Sequence, residues 1–262
     1  MRNIEEKEQR LVALRAGLAK LDRSRPARVR AARSSGDHDL LDRLEPRAVH
    51  DLYADTPADA VALNAFGLGL AVKAAGGRPI VWAIHRLVET ETGTPHGPGL
   101  HEMGIRPRDV LLVRANDIQT LLAVGEEALR SPAVGAVLLS AWGEAKAMTL
   151  TASRRLSLAA QAGTATLFLA RAGAVPAPSA ALTRWSVGAS PSTPLEAGAP
   201  GRPSFSATLL RHRGGVEPRT WIMEWDRERR AFLERSPLSG AVVPVAAERA
   251  PAPWRTGERR VA

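Results

Sequence analysis

The sequence predicts an α/β fold in which a mainly parallel β-sheet is flanked by helices and carries antiparallel strands at its C-terminal side. One observation is that continuous apolar runs of strand length, such as residues 79–84 and 134–139, alternate with helix-length segments. Strands that are apolar along their whole length are typical of parallel sheets covered on both faces. A second observation is that the strands predicted after residue 170 follow one another without helices between them, which is typical of antiparallel pairing.

The first strand and the helix after it have the strongest local signals. Residues 48–53 alternate between apolar and polar side chains, as in a half-buried strand. Thr56 can cap the helix that follows, with Pro57 at its first position. We therefore predict a helix at residues 60–75, which ends at Gly76.

The same patterns predict the remaining elements. Further strands are expected at residues 79–84, 110–113, 134–139, 164–169, 182–187, 205–210 and 219–225. Between the strands we expect a Gly- and Pro-rich loop at 90–99, a helical turn at 100–103, a helix capped by Asn116 or Asp117 that ends near Arg130, and a helix at 151–162. In the last strand Trp221 and Trp225 fall on one face, because side chains alternate along a strand.

The chain divides into three predicted parts. Residues 1–38 form an amino-terminal arm: an amphipathic helix with apolar residues at helical spacing, followed by a basic linker. Residues 39–236 form the α/β core. Residues 237–262 are rich in proline and arginine and lack periodicity, which predicts a flexible tail.

Composition limits the classes of function. The 262 residues include 45% hydrophobic side chains and no cysteine, which excludes disulfides and thiolate metal sites. The formal net charge is +9 and comes almost entirely from arginine, so DNA or an acidic protein would be attracted to it. The amino terminus lacks the apolar stretch of a signal peptide, and no run of about 18 apolar residues occurs. We therefore expect a cytoplasmic protein that does not enter a membrane.

A loop between the first strand and its helix occupies the position of a phosphate loop. Its six residues are Asp55, Thr56, Pro57, Ala58, Asp59 and Ala60. A loop that cradles polyphosphate needs glycines, a lysine and a Ser or Thr for magnesium. Here two aspartates stand where anions would bind, and the next lysine is Lys73. The loop therefore predicts a binding protein rather than an enzyme.

Four stretches give the chain a family resemblance. In order, they are GLHEMGI at 99–105, RDVLLV at 108–113, LSLAAQ at 156–161 and WIMEWD at 221–226. Together they resemble ImuA, a family of RecA-like accessory proteins encoded beside ImuB and an error-prone polymerase in many bacteria. The resemblance covers about residues 40–235, and the order of strands and helices is similar to the ATPase core of RecA recombinases.

The resemblance implies that the residues of ATP hydrolysis have been lost. The aspartate that orients magnesium falls at Ser140, the catalytic glutamate falls near His85, and the sensor glutamine falls near Arg171. Together with the altered loop, four positions of one mechanism differ, so we expect no catalytic residue, cofactor or metal. The segments after Trp142 and Arg171, where a recombinase grips DNA, are also short.

The function implied by the resemblance is that of a non-catalytic adaptor in the SOS response. It would support damage-induced translesion synthesis and mutagenesis, as part of DNA repair, by binding an ImuB-like Y-family polymerase homologue. That partner would bring in an error-prone replicative-type polymerase, and the complex would associate with the nucleoid. Association with RecA, self-association and DNA contact are compatible with this role but not required.

Two alternatives from other classes stay open. One is a SulA-like SOS inhibitor of cell division that binds the tubulin-like division protein, although that family is usually shorter and lacks so long a basic arm. The other is an ATP-dependent enzyme that remodels DNA. Nucleotide binding would favour the enzyme, and filamentous cells on overexpression would favour the inhibitor.

Three groups of residues are candidates for partner binding. Trp and Arg often anchor interfaces, and the resemblance to RecA, which self-assembles through its first helix, implies a contact by the leucines of the arm. The candidates are Leu11, Leu14 and Leu18 in the arm; Trp221, Trp225, Arg229 and Arg230 near the end of the core; and Trp254 with Arg255 in the tail. Packing against the core is the alternative for the arm leucines, and packing within the sheet is the alternative for Trp221 and Trp225.

Overall fold

The computed structural model describes residue 41 and residues 44–235. The predicted arm (1–38) and tail (237–262) lie outside the described residues. The partner-binding candidates Leu11, Leu14, Leu18, Trp254 and Arg255 therefore lie outside them as well.

One sheet of nine strands organises the described part of the chain. The strands are β1 Val49–Ala54, β2 Ile80–His85, β3 Val110–Ala115, β4 Ala136–Trp142, β5 Thr166–Ala172, β6 Thr183–Ala189, β7 Ser204–His212, β8 Arg219–Asp226 and β9 Ala231–Glu234. Their order across the sheet is β3-β2-β4-β5-β1-β6-β7-β8-β9. Pairing is parallel from β3 to β6 and antiparallel from β6 to β9. The predicted fold class is therefore confirmed.

Five α-helices cover the sheet in the described residues. They are α1 Ala60–Ala75, α2 Arg86–Thr92, α3 Gly97–Glu102, α4 Ile118–Arg130 and α5 Leu150–Ala162. Apolar side chains of α1 share one core with the inner face of β6–β9, whereas α4 and α5 pack on the opposite face of the parallel strands. The two faces of the parallel part are thus both covered, which explains its continuous apolar strands.

Helix α1 is the central element of the fold. Ten of its sixteen residues are buried, and Phe66 is in ring contact with Phe205 of β7 and Phe232 of β9. The antiparallel strands therefore curl around the helix instead of continuing away from it. By length and composition the stretch Pro57–Ala75 could also cross a membrane, with a mean hydropathy of 1.3. Its packing inside this core accounts for that composition.

The curl of the sheet corrects the proposal that Trp221 and Trp225 contact a partner. Both side chains point into the core around α1 and are only 5% and 1% exposed. The indole N–H of Trp225 donates to the carbonyl of Met103 (2.9 Å), and the ring of Trp221 lies 5.6 Å from that of Trp185. The alternative of packing within the sheet describes these residues.

Several element boundaries differ from the prediction. Strands β4 and β5 continue to Trp142 and Ala172, because their backbone pairing continues past the apolar run. Strand β6 pairs in parallel with β1, although it follows β5 without a helix. Helix α2 was not predicted. It lies partly within the predicted loop and partly just before it, and only Val88 of the helix is buried, so no periodic apolar face marks it. Strand β9 was also missed, because it is four residues long.

We predict that Gly69→Ala destabilises the protein. A Cβ atom at Gly69 would lie 2.7 Å from Cζ of Phe232 and 3.0 Å from Cζ3 of Trp225. Forcing two packed rings apart costs about 1–3 kcal/mol, which exceeds the roughly 1 kcal/mol that alanine gains over glycine in a helix. Urea unfolding should show a net loss of about 1 kcal/mol.

Gly67→Ala is the matched control in the same helix. Its Cβ atom would meet the ends of two leucine side chains, with Leu138 Cδ1 at 3.0 Å and Leu52 Cδ1 at 3.2 Å. Leucine ends can rotate away at lower cost than packed rings, so this variant should be the more stable of the two. If Gly69→Ala unfolds at the same or a higher urea concentration, the described packing of β9 on α1 is wrong.

Candidate functional site

The candidate site is the start of α1, at the carboxyl ends of the parallel strands. In α/β sheets ligands bind at this edge, and a helix N-terminus offers backbone N–H groups to an anion. Here the backbone N–H and the hydroxyl of Thr56 both donate to Oδ2 of Asp59, at 3.1 and 2.6 Å. The backbone N–H of Ala189 donates to Oδ1 of Asp59 at 2.8 Å. The carboxylate of Asp59 therefore binds three donors at this edge of the sheet, next to the start of α1.

Asp55 ties the same loop to the end of strand β6. Its side chain accepts a hydrogen bond from the hydroxyl of Ser186, and its backbone N–H donates to the carbonyl of Val187 (3.0 Å). A Cβ atom at Gly188 would lie 2.6 Å from Oδ2 of Asp55, so the carboxylate packs directly on the β6 backbone. The loop is thus held against β6 by the side chain and backbone of Asp55.

The hydrogen bonds to Asp59 also determine its protonation. Partial burial alone would raise the pKa of this carboxyl, but the bonds from Ala189 and Thr56 outweigh burial and lower it. Asp59 is therefore ionised at neutral pH. An ionised carboxylate at this position repels a phosphate group.

Ser140 takes part in a closed chain of buried hydrogen bonds. The indole N–H of Trp82 donates to Oγ of Ser140 (2.9 Å), and the Ser140 hydroxyl donates to Oδ1 of Asn64 (2.6 Å). The side-chain amide of Asn64 in turn donates to the carbonyl of Ala60 (2.9 Å). Ser140 lies inside β4 rather than at its end, so the prediction of its position is corrected by the longer strand. Its side chain ties β2 and β4 to α1 and supplies no carboxylate.

His85 is the last residue of β2 and is 7% exposed. Burial lowers the pKa of its imidazole, although the charge of Asp117 opposes that shift. Within the described residues its Nδ1 atom has no hydrogen-bond partner. A neutral imidazole at this position differs in charge from the carboxylate that the resemblance implies for an active ATPase.

Arg171 holds together the two loops that follow β4 and β5. Its guanidinium donates to the hydroxyl of Tyr53 (2.9 Å) and lies 3.5 Å from the carboxylate of Glu144. Glu144 also accepts the backbone N–H of Val175 (2.6 Å), and Tyr53 accepts that of Ala177 (3.3 Å). The short loops at this edge are therefore bound to each other and to β1.

A buried polar network beside these loops was missed by the sequence analysis. Asp51 in the middle of β1 accepts the hydroxyl of Ser179, which also accepts a guanidinium N–H of Arg184 (3.0 Å). Burial raises the pKa of Asp51, whereas Ser179 and Arg184 oppose that shift. A cleft of about 320 Å³ borders the network. No sequence signal indicated it, because residues 48–53 predict a half-buried strand in which Asp51 could face solvent, whereas β1 is buried on both faces.

The remaining predicted residues in the described part of the chain are the partner-binding candidates near the end of the core, and they do not form one site. Arg229 and Arg230 are exposed in the turn between β8 and β9, where the side chain of Asp226 accepts the backbone N–H of Arg229 (3.0 Å). The side chains of Trp221 and Trp225, in contrast to those exposed arginines, point into the core. Among residue 41 and residues 44–235, no group of three or more His, Asp and Glu side chains is arranged to hold a metal.

Comparison with known proteins identifies no family. No protein-family model and no curated protein matches the chain. Among solved structures, the chain is similar to SulA from Pseudomonas aeruginosa, with 22% sequence identity, 48% of this chain and 99% of that chain covered, and a TM-score of 0.36. A similarity at that TM-score carries no argument about function.

We predict that Asp59→Asn lowers the free energy of unfolding at neutral pH by about 1 kcal/mol, because an amide cannot accept all three hydrogen bonds. The pKa of Asp59 is lowered in the folded state. Its stabilisation is therefore present above the ordinary value of about 3.9 and is lost as the pH falls through the lowered folded value. The difference between the two proteins should shrink in acid, as measured by urea unfolding across pH.

Glu91→Gln is the control for this pH series. Glu91 is an exposed acid on α2, and its substitution should leave the difference from the unmodified protein near zero at every pH. A destabilisation by Asp59→Asn that is constant or grows toward acid would contradict the described bonding of Asp59.

We also predict that Ser140→Ala costs about 1–3 kcal/mol of unfolding free energy, because it leaves the Trp82 indole N–H and the Asn64 carbonyl oxygen buried without their partner. Ser206→Ala, on the outer face of β7, is the control and should cost less than about 0.5 kcal/mol. Thermal and urea unfolding measure both. Equal stability of the two variants would show that the buried chain through Ser140 does not form.

Proposed function

We propose that this protein is a non-catalytic adaptor with a RecA-like core, which acts in damage-induced translesion DNA synthesis by binding an ImuB-like Y-family polymerase homologue. The single observation that carries the non-catalytic part is the bonding of Asp59. Its carboxylate, next to the start of α1, is bound by Thr56 of the loop and by Ala189 at the end of β6, so a phosphate at this place would have to displace those bonds.

Three features support the absence of ATP hydrolysis. The loop of residues 55–60 has no lysine and no glycine, so it lacks the groups that hold terminal phosphates. Ser140 uses its hydroxyl within a closed chain of hydrogen bonds and cannot orient magnesium as a carboxylate does. His85 and Arg171 replace the remaining groups of the mechanism. Each position has a different local role, so a single substitution would not restore the activity.

The role in translesion synthesis is supported by the four stretches that resemble the ImuA family. Three of them lie in elements that position the core: RDVLLV enters β3, LSLAAQ lies in α5 and WIMEWD lies in β8. In this proposal the core is a rigid scaffold, and the error-prone polymerase is recruited indirectly through the ImuB-like partner. The SOS response and a cytoplasmic, nucleoid-associated location belong to the same proposal.

The direct test is co-purification. The full chain, with an affinity tag and expressed together with an ImuB-like homologue, should retain that partner on the column. Chains lacking residues 1–38 or 251–262 then test the candidates Leu11, Leu14, Leu18, Trp254 and Arg255. Arg255→Ala can be compared with Arg259→Ala, which removes the same charge four residues away in the tail. Arg255→Ala should weaken retention, and Arg259→Ala should not.

Nucleotide titration and cell shape separate the alternatives. Calorimetry with magnesium and ATP should give no saturable heat. Tight magnesium-dependent binding of ATP would overturn the adaptor proposal in favour of an enzyme. Retention of the tubulin-like division protein in place of the ImuB-like partner, with filamentous cells on overexpression, would favour the SulA-like inhibitor.

A further inference from the structure

Three arginines that are far apart in the chain meet around one cleft at the amino ends of β2 and β3. We call it the arginine cleft, and it is formed by Arg78 before β2, Arg106 before β3 and Arg230 in the β8–β9 turn. It is open to solvent. The buried side chains of Ile80 and Ile105 form an apolar part of its lining.

The curl of the sheet around α1 brings Arg230 to this cleft. Gly104 has a φ of +74° and lies so close to the β8–β9 turn that a Cβ atom would collide with the carbonyl oxygen of Arg227. The indole of Trp225 fixes the same contact by donating to the carbonyl of Met103 (2.9 Å). The turn therefore has a defined position against the segment before β3, and its arginine belongs to the cleft.

The cleft carries an excess of positive charge. Three arginines line it together with one acid, Asp109, so the formal charge of these four side chains is 3 − 1 = +2. Arg106 donates to Asp109 (2.6 Å), and Arg78 donates to the carbonyl of Thr164 (3.2 Å). Each guanidinium has five N–H donors, so these contacts leave donors on both arginines for a ligand.

We propose that the arginine cleft binds an acidic segment of a partner protein, with a carboxylate of that segment between the arginines. Arginine pairs with carboxylates through parallel, charge-assisted hydrogen bonds, and three arginines from separate parts of the chain line this one cleft. Single-stranded nucleic acid fits less well. Among the described residues, no aromatic ring lines the cleft for a base to stack on.

This inference rests on the proposed function only because both take the protein to be a binding protein. It goes further by naming the binding surface, the arginine cleft, and the acidic character of the partner segment. The experiment below uses a peptide and no component of the translesion complex, so its failure would leave the adaptor proposal to its own co-purification test.

The test uses the full chain and two variants that each remove one charge. Arg78→Gln removes the positive charge of one arginine that lines the cleft. Arg230→Asn neutralises another and suits the backbone, because Arg230 has a φ of +50° and asparagine tolerates that conformation better than arginine. Arg211→Gln, on the exposed end of β7, is the control with the same loss of charge. Urea unfolding verifies that all three variants fold.

The probe is a fluorescein-labelled octapeptide of alternating Glu and Leu. Its binding to the protein is measured by fluorescence anisotropy at low ionic strength. A matched peptide with Gln for Glu and a labelled oligothymidylate are measured in parallel. We expect saturable binding of the Glu-Leu peptide, about fivefold weaker with Arg78→Gln and with Arg230→Asn, and unchanged with Arg211→Gln. The Gln peptide should not bind.

Two results would overturn the proposal. One is that the Glu-Leu peptide does not bind the unmodified protein, or binds it equally after substitution of Arg78, Arg230 and Arg211. The other is that Arg78→Gln and Arg230→Asn weaken binding of the oligothymidylate and not of the peptide. That second result would make the cleft a surface for nucleic-acid phosphates.

Discussion

The burial of helix α1 is the constraint on which the rest of this structure depends. Apolar residues occur on more than one side of the helix, and Leu63, Phe66 and Leu70 are at most 1% exposed. Parallel strands alone would cover one side of such a helix. Strands β7 to β9 supply the other contacts by curling around it, with Phe232 packed on Phe66. The antiparallel extension is therefore part of the core, and this explains why its tryptophans are internal.

The same helix links the core to the altered phosphate-loop position. A series of hydrogen bonds from Trp82 through Ser140 and Asn64 to the carbonyl of Ala60 connects the first turn of α1 to β2 and β4. Asp59, directly before this turn, accepts the backbone N–H of Ala189 at the end of β6. The backbone N–H and hydroxyl of Thr56 and the backbone N–H of Ala189 are thus bonded to Asp59 within the protein, as expected of polar groups in a folded chain.

The two ends of the parallel strands differ in the charged groups that lie there. At the carboxyl ends, Asp55 and Asp59 occupy the loop before α1, and Arg171 is buried and bonded to Tyr53 and Glu144. At the amino ends of β2 and β3, Arg78, Arg106 and Arg230 line the arginine cleft. A group of like charges of this kind attracts an acidic partner segment.

Apart from α2 and β9, the sequence by itself determined the order of strands and helices, and it located α1 at residues 60–75 without error. Those features depend on local signals, since Thr56, Pro57 and Gly76 act on neighbouring backbone and apolar runs reveal buried strands. It also showed that residues 55–60 lack phosphate-loop chemistry. Only the tertiary structure decided which groups bind the carboxylates of that loop, that Trp221 and Trp225 are internal, and that Arg78, Arg106 and Arg230 share one cleft. These partners come from elements distant in the chain, and the twist of the sheet, which no local pattern encodes, brings them together.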